Sequence, residues 1–274
     1  MDEQQAFESC DFTGFLPLSI PSLITPMIYE FKIAFKTIQR EGFVSLFKKV
    51  FSYFSQMVNA LRFLPLRKPF NGTPDEVVDF SFKAAGGLIY PGQVRSEFVQ
   101  IAELIKKQKP RVIVEIGTAN GGTLSAWCAL GAPDATIVSI DLPGGIHGGG
   151  YAYWRTSIYR QFAQPKQKLH LLRADSHQPN TLAQLKKLLP PKGVDFLFID
   201  GDHTYAGVKA DYEMYSPLVC KGGWVALHDI CLHPPEMDCH VDKFWAEIAG
   251  KNGTCRELIE NPKQGGFGIG LIQI

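Results

Sequence analysis

Residues 199–205, Ile-Asp-Gly-Asp-His-Thr-Tyr, carry three ionisable side chains, Asp200, Asp202 and His203, within four positions. Folding alone gives little reason to gather such groups on a tight turn, and ionisable side chains held together in a crevice mark candidate functional positions. Asp200 would point into that crevice, and an imidazole with an ordinary pKa of about 6.5 could take up a proton close to neutral pH. A second polar pair, His228-Asp229, closes a later apolar run, and Asp141 and Asp175 follow two earlier ones. A different chemistry belongs to Gly117-Thr-Ala-Asn-Gly-Gly-Thr123. Backbone N–H groups at such a turn, backed by the positive end of a helix dipole, suit a carboxylate or phosphate, and the missing Cβ atoms let a ligand approach the backbone. The Gly-x-x-x-Gly-Gly spacing is not the Gly-x-Gly-x-x-Gly of a dinucleotide fold, and no Lys-Ser/Thr follows as a P-loop would require.

Regular elements must hold these groups in place. Val112, Ile113, Val114 and Ile116 form a short β-branched run, the pattern of a parallel strand covered on both faces, and the run empties into the glycine turn. Thr123 can then cap a helix through Leu124, Ala126, Trp127, Ala129 and Leu130. The arrangement repeats: 137–140 ends at Asp141, 169–172 leads to Asp175, 194–199 ends at Asp200, and 224–227 ends at His228-Asp229. Carboxylates would thus line one edge of a single sheet. Residues 207–218 read as the helix after the Asp200 turn, with His203 near its start. Residues 97–105, closing on Lys106, Lys107 and Lys109, read as the helix that feeds the first strand. Strands and helices alternate in the rhythm of right-handed crossovers. That rhythm breaks at 256–259 and 267–274, which read as a hairpin joined through Asn261-Pro262 and Gly265-Gly266.

With Glu115-Ile-Gly-Thr-Ala-Asn-Gly-Gly-Thr123 in front, this order resembles the class I S-adenosylmethionine-dependent methyltransferases over roughly residues 85–274. The resemblance implies an α/β fold, a Rossmann-like doubly wound sheet with an antiparallel C-terminal hairpin strand, preceded by an N-terminal helical extension. A carboxylate at Asp141 can accept hydrogen bonds from both hydroxyls of a ribose, and by resemblance it is the ribose ligand; a turn or N-cap aspartate is the plainer alternative. By the same resemblance Gly117, Thr118, Gly121 and Gly122 form the cofactor turn, Glu115 faces the methionine end of the cofactor, and Asp175-Ser176 borders the adenine. Asp-Gly-Asp-His together with His228-Asp229 resembles the subgroup of macrolide-sugar O-methyltransferases and cephalosporin hydroxylase-like proteins. There, acids at the fourth and fifth strand ends hold a divalent metal and a histidine in the turn acts as base. Carried over, this puts Mg2+ or another divalent cation on Asp200 and Asp229 with Asp202 beside them, and makes His203 the base, with Asp200 catalytic alongside it. Structural alternatives are a helix-capping Asp202 and a His228 satisfied within the sheet edge. The implied reaction is methyl transfer from S-adenosyl-L-methionine to a hydroxyl of a small molecule or sugar. Its rivals are a cephalosporin hydroxylase-like reaction, a nicotinamide-dependent oxidoreductase, disfavoured by the glycine spacing and terminal hairpin, and a non-catalytic cofactor-binding scaffold.

At 274 residues and net charge +1, the chain can bury a substantial core but offers no global field to recruit nucleic acid. Six cysteines, Cys10, Cys128, Cys220, Cys231, Cys239 and Cys255, form no Cys-x-x-Cys pair, and no cleavable signal sequence precedes them, so a reducing cytoplasm is the simplest home. Cys231, His233, Cys239 and His240 lie close together, but their spacing matches no zinc finger and Pro234-Pro235 interrupts it. Residues 1–70 read as an N-terminal arm with amphipathic helices, and 71–274 as the catalytic domain. Pro17, Pro21 and Pro26 make 1–27 irregular, whereas Phe43, Phe47, Val50, Phe54, Met57, Leu61 and Leu64 recur at helical spacing. Across 29–68 the basic residues far outnumber Glu30 and Glu41, so this apolar stripe suits either a second subunit or peripheral contact with an anionic membrane. No stretch is apolar for 18 residues, as a spanning helix would need. Residues 65–80 read as a linker. Residues 143–155, with five glycines, Tyr151, Tyr153 and Trp154, read as a lid or as a surface loop.

Overall fold

Thr73 opens a helix near the start of the continuously described residues. Its hydroxyl accepts from the Glu76 N–H at 3.3 Å while the Glu76 carboxylate accepts from the Thr73 N–H at 2.8 Å, a reciprocal box that satisfies two otherwise orphaned donors. Pro74 follows at the first helical position, where its missing N–H costs nothing. The linker expected across 65–80 therefore ends at Thr73: Pro74 starts a helix, α1 (Pro74–Lys83). The computed structural model describes residues 72–143, 150–251 and 254–274, together with Val44, Phe51, Ser55 and Val58. The expected arm at 1–27, the helices across 29–64 and the glycine-rich centre of the 143–155 segment lie outside the described residues. All elements below belong to the unit Ser55–Ile274.

After α1 come α2 (Arg95–Gln108), β1 (Val112–Ile116), α3 (Gly122–Leu130), β2 (Thr136–Asp141), a short α4 (Thr156–Tyr159), β3 (Lys168–Arg173) and α5 (Pro179–Leu188). The chain continues through β4 (Val194–Ile199), α6 (Tyr205–Tyr215), β5 (Val219–His228), α7 (Val241–Ile248), β6 (Cys255–Leu258) and β7 (Ile269–Gln273). The sheet runs β3-β2-β1-β4-β5-β7-β6. Its first five strands are parallel, and β7 lies antiparallel between β5 and β6. The expected doubly wound sheet with an inverted terminal hairpin is thus the observed one. Strand order reverses between β1 and β4, the switch point where α/β sheets leave a crevice beyond their carboxyl ends. Ile116 pairs with Ile140 on one side and with Ile199 on the other, and Ile199 pairs with Leu227. This register brings Gly117, Asp141, Asp200 and His228 to one edge.

Alternation along the strands divides the core. Val112, Val114, Ile116, Leu197 and Ile199 pack with Val208, Tyr215, Phe244 and Trp245 on one face. Ile113, Phe196 and Phe198 pack with Phe98, Ile101 and Trp127 on the other. Trp127 meets Phe98 and Phe196 edge-on, with centroids 5.6 and 5.2 Å away, a favoured aromatic geometry. On α2, the fully buried Glu97 accepts from Glu260 N, Gln264 Nε2 and Gly268 N, which ties the β6–β7 connection to the helix. Thr123 does not cap α3. The helix begins one residue after a left-handed Gly121 (φ 77°), which leaves Thr123 inside the first turn. Among the described residues no helix is long and apolar enough to cross a membrane.

Candidate active site

A cavity of about 560 Å³ opens along the carboxyl edge of the sheet. Its lining includes Gly117, Thr118, Ala119 and Asn120 of the glycine turn, Asp141, Asp175 and Ser176, and the group Asp200, Asp202, His203, His228 and Asp229.

The glycines have a different physical reason from the one expected. A Cβ on Gly117, which has φ 88°, would lie 1.8 Å from the Asp200 carbonyl oxygen, so this glycine lets the turn after β1 pass directly against the backbone that follows β4. A Cβ on Gly121 would meet the Tyr159 ring at 2.7 Å, and one on Gly122 the Pro91 nitrogen at 2.1 Å. Space expected for a ligand is filled by protein, and Gly121 and Gly122 stay outside the cavity wall. Glu115 is likewise not in that wall. It is fully buried on the Trp127 face, where Trp127 Nε1 donates to Oε1 and Thr118 Oγ1 to Oε2, both at 2.8 Å. Burial lifts its carboxyl to about 7, against the opposing bonds from Thr123, Thr118 and Trp127. Through these bonds Glu115 anchors the turn from beneath.

Asp141 is 5% exposed, and its Oδ2 accepts from the N–H groups of Thr118 (2.8 Å) and Ala119 (2.6 Å). Burial raises this carboxyl to about 6, while the two amides and the Arg173 charge pull the other way. Two amides expected to face an anionic ligand are therefore satisfied within the protein. Elsewhere in the lining, the Asp175 carboxylate accepts from His177 N and Gln178 Nε2, and Tyr215 donates its hydroxyl to Ser176 O.

Also in the lining, Asp200 and Asp229 converge with three imidazoles. His228 Nδ1 lies 3.1 Å from Asp200 Oδ1 and 3.3 Å from Asp229 Oδ1. His203 reaches Asp200 Oδ1 through Nε2 at 3.4 Å and Asp229 Oδ2 through Nδ1 at 3.2 Å. His233 Nε2 contacts Asp229 Oδ1 at 3.1 Å. Burial alone would raise Asp200 and Asp229, but the His228 charge and the hydrogen bonds from the surrounding imidazoles hold both below their usual value. Burial alone would lower His203 and His228, and the same carboxylates outweigh it and raise both. Asp229 takes a left-handed backbone, φ 64°, unusual for a residue with a side chain.

Two groupings have metal-ligand spacing, Asp200-His228-Asp229 and His203-Asp229-Cys239, each with its ligand atoms within 4.8 Å. Asp202 is in neither. Its Oδ1 accepts from Thr204 N at 2.9 Å, and Thr204, not Asp202, caps α6. Sequence reading missed Gln93, whose Nε2 donates to Asp200 Oδ2 at 2.8 Å across 107 positions. It also set aside Cys239 and His233, which their Cys/His grouping had flagged. The other members of that grouping lie elsewhere, with the Cys231 thiol against Gly268 and His240 beside Asp238.

The protein-family model described as "Methyltransferase domain" matches residues 114–230. A protein of Sinorhizobium fredii, y4gI, is 29% identical over 169 residues, which are 61% of this chain and 18% of that one. This chain spans less than a third of the length of the curated relatives it matches. Among solved structures, an O-methyltransferase from Bacillus cereus in complex with SAH is 17% identical, with TM-score 0.49 and coverage of 80% of this chain and 99% of that one. The MycE methyltransferase from the mycinamycin biosynthetic pathway, in complex with Mg and SAH, is 14% identical at TM-score 0.48, covering 75% and 55%. These structural likenesses are too distant to carry residue roles across. The family match begins inside β1 and ends at Ile230, just past Asp229, so the matched stretch contains the glycine turn, Asp141, Asp200, His203 and Asp229, and over it the chain is similar to a methyltransferase domain.

Proposed function

We propose that this chain transfers a methyl group from S-adenosyl-L-methionine to a hydroxyl of a small-molecule acceptor such as a sugar, with a divalent cation assisting. One observation carries this reading: a single cavity is lined both by the glycine turn with Asp141 and by the Asp200, His203 and Asp229 cluster. Gly117, Thr118, Asp141, Asp175 and Ser176 would hold the cofactor, with Asp141 positioned to accept from ribose hydroxyls. Tyr90, Leu142, Met237 and Phe267 line the same cavity yet remain exposed, apolar faces suited to an adenine and to the body of an acceptor.

Methyl transfer is an in-line displacement in which the acceptor oxygen bonds to the methyl carbon as the carbon–sulfur bond breaks. Its main requirement is alignment. His203, held by both carboxylates, is placed to take the hydroxyl proton. The donor set of Asp200, Asp229 and His228 fits a divalent cation, which when bound would lower the pKa of the acceptor hydroxyl. Asp229 and Asp200 are kept ionised for such a role by the imidazoles around them. The basic amphipathic stretch at 29–68 would supply contact with an anionic membrane or a second copy, and the reading places the chain in the cytoplasm.

The test incubates the chain with S-adenosylmethionine and a panel of glycosides and phenols and measures S-adenosylhomocysteine release, alongside calorimetric titration of S-adenosylmethionine and NAD. Tight binding of NAD with none of S-adenosylmethionine would overturn the reading in favour of an oxidoreductase.

A further inference from the structure

We propose that the metal-assisted site selects a borderline transition ion of the Zn2+ type over Mg2+, because His228 supplies a nitrogen ligand between the two carboxylates; this rests on the metal reading given above. His228 is 4% exposed. Its Nδ1 faces both carboxylates, 3.1 Å from Asp200 and 3.3 Å from Asp229, while its Nε2 is buried with no hydrogen-bond partner among the described residues. All polar contacts of the ring therefore run through the atom aimed between the acids. Donors about 2.0–2.1 Å from a zinc ion, at angles of roughly 90–110°, lie about 2.9–3.4 Å from one another. The two separations from His228 Nδ1 to the carboxylates fall within this range, and all three ligand atoms lie within 4.8 Å of one another.

Donor chemistry decides among ions. Imidazole suits zinc, iron, nickel and copper, whereas Mg2+ holds to oxygen ligands and its own waters. An all-carboxylate turn, Asp200, Asp202 and Asp229, would favour Mg2+ or Mn2+. The fold instead leaves Asp202 on the Thr204 amide and brings a ring nitrogen in its place. Around Asp229 the bias deepens, since His203 and the Cys239 thiol have ligand atoms within 4.8 Å of it and of each other, a nitrogen and a soft sulfur that Mg2+ does not use.

The experiment strips the full chain with a chelator, titrates it separately with Zn2+ and Mg2+ by calorimetry, and measures retained metal after dialysis by mass spectrometry. Zn2+ is expected to bind at least about a hundredfold more tightly than Mg2+. His228→Asp, with folding checked by circular dichroism, restores an all-oxygen set and should lower the Zn2+-to-Mg2+ affinity ratio by about tenfold to a hundredfold. If that variant does not fold, the wild-type ratio alone decides. Equal affinity for the two ions, or a ratio unchanged in folded His228→Asp, overturns the proposal. Binding of Mg2+ alone overturns it and leaves the metal-assisted reading standing; binding of neither ion overturns both.

Discussion

Stability of the side wall of the cavity should depend on pH through one pair, His177 and Asp211. His177 follows Asp175-Ser176, and its Nε2 lies 3.4 Å from Oδ1 of Asp211, a fully buried residue of α6. The close approach of the Asp211 carboxylate is the main influence that raises the imidazole to about 9; burial opposes this, and the charge of Asp175 adds to the rise. A folded-state value above the unfolded one means that the stabilisation is fully present below about pH 6.5 and disappears as pH rises through about 9. At about 1.4 kcal/mol for each tenfold change in proton affinity, the rise from 6.5 to about 9 is worth about 3 kcal/mol. The side chain is 29% exposed, so solvent screening brings the expected contribution to about 2–3 kcal/mol. Urea unfolding of the wild type and of Asp211→Asn at a series of pH values isolates the pair, because titration of all other groups cancels in the difference. Asp211→Asn should remove the larger part of that amount near pH 6, the Asp175 contribution remaining, and the difference from the wild type should shrink as pH rises through about 9. A stability difference that stays constant across this range would refute the argument, since a packing defect would not titrate.

Asp141→Ala should weaken S-adenosylmethionine binding by about 1.5–3 kcal/mol, the scale of hydrogen bonds to a charged group, in calorimetric titration; unchanged affinity would remove Asp141 from the site. Gly117→Ala places a Cβ 1.8 Å from the Asp200 carbonyl and is expected to cost at least about 3 kcal/mol, read as a lowered melting temperature. His203→Ala should lower turnover by about a hundredfold or more with cofactor affinity nearly unchanged, the usual scale for losing a general base; full activity would leave alignment alone to carry the reaction. If residues 29–68 dock on a bilayer, the chain should co-sediment with anionic vesicles, release at high salt and fail to bind once residues 1–70 are deleted. A dimer lost on the same deletion, with no vesicle binding, would assign the stretch to subunit packing.

Local pattern determined much of this protein. Five apolar runs became parallel strands, and the polar residue closing each of the last four lies at its strand's carboxyl end or within two residues of it, because strand period and burial are set by neighbours in the chain. The terminal hairpin was legible for the same reason: 256–259 and 267–274 have no helix between them, so only an antiparallel return is open to them. What tertiary structure decided was the partner of each polar group. Glu115 read as a ligand residue, yet strand alternation turns it toward Trp127, twelve positions on, whose indole satisfies it. Gly121 and Gly122 read as room for a cofactor, and the room is taken by Tyr159 and Pro91 from other segments. Gln93 and His233 carried no spacing that pointed to Asp200 and Asp229. Their meeting depends on where α2 docks and how the chain after β5 folds back, and such closure over long loops is fixed by packing of the whole domain, not by the residues adjacent in sequence.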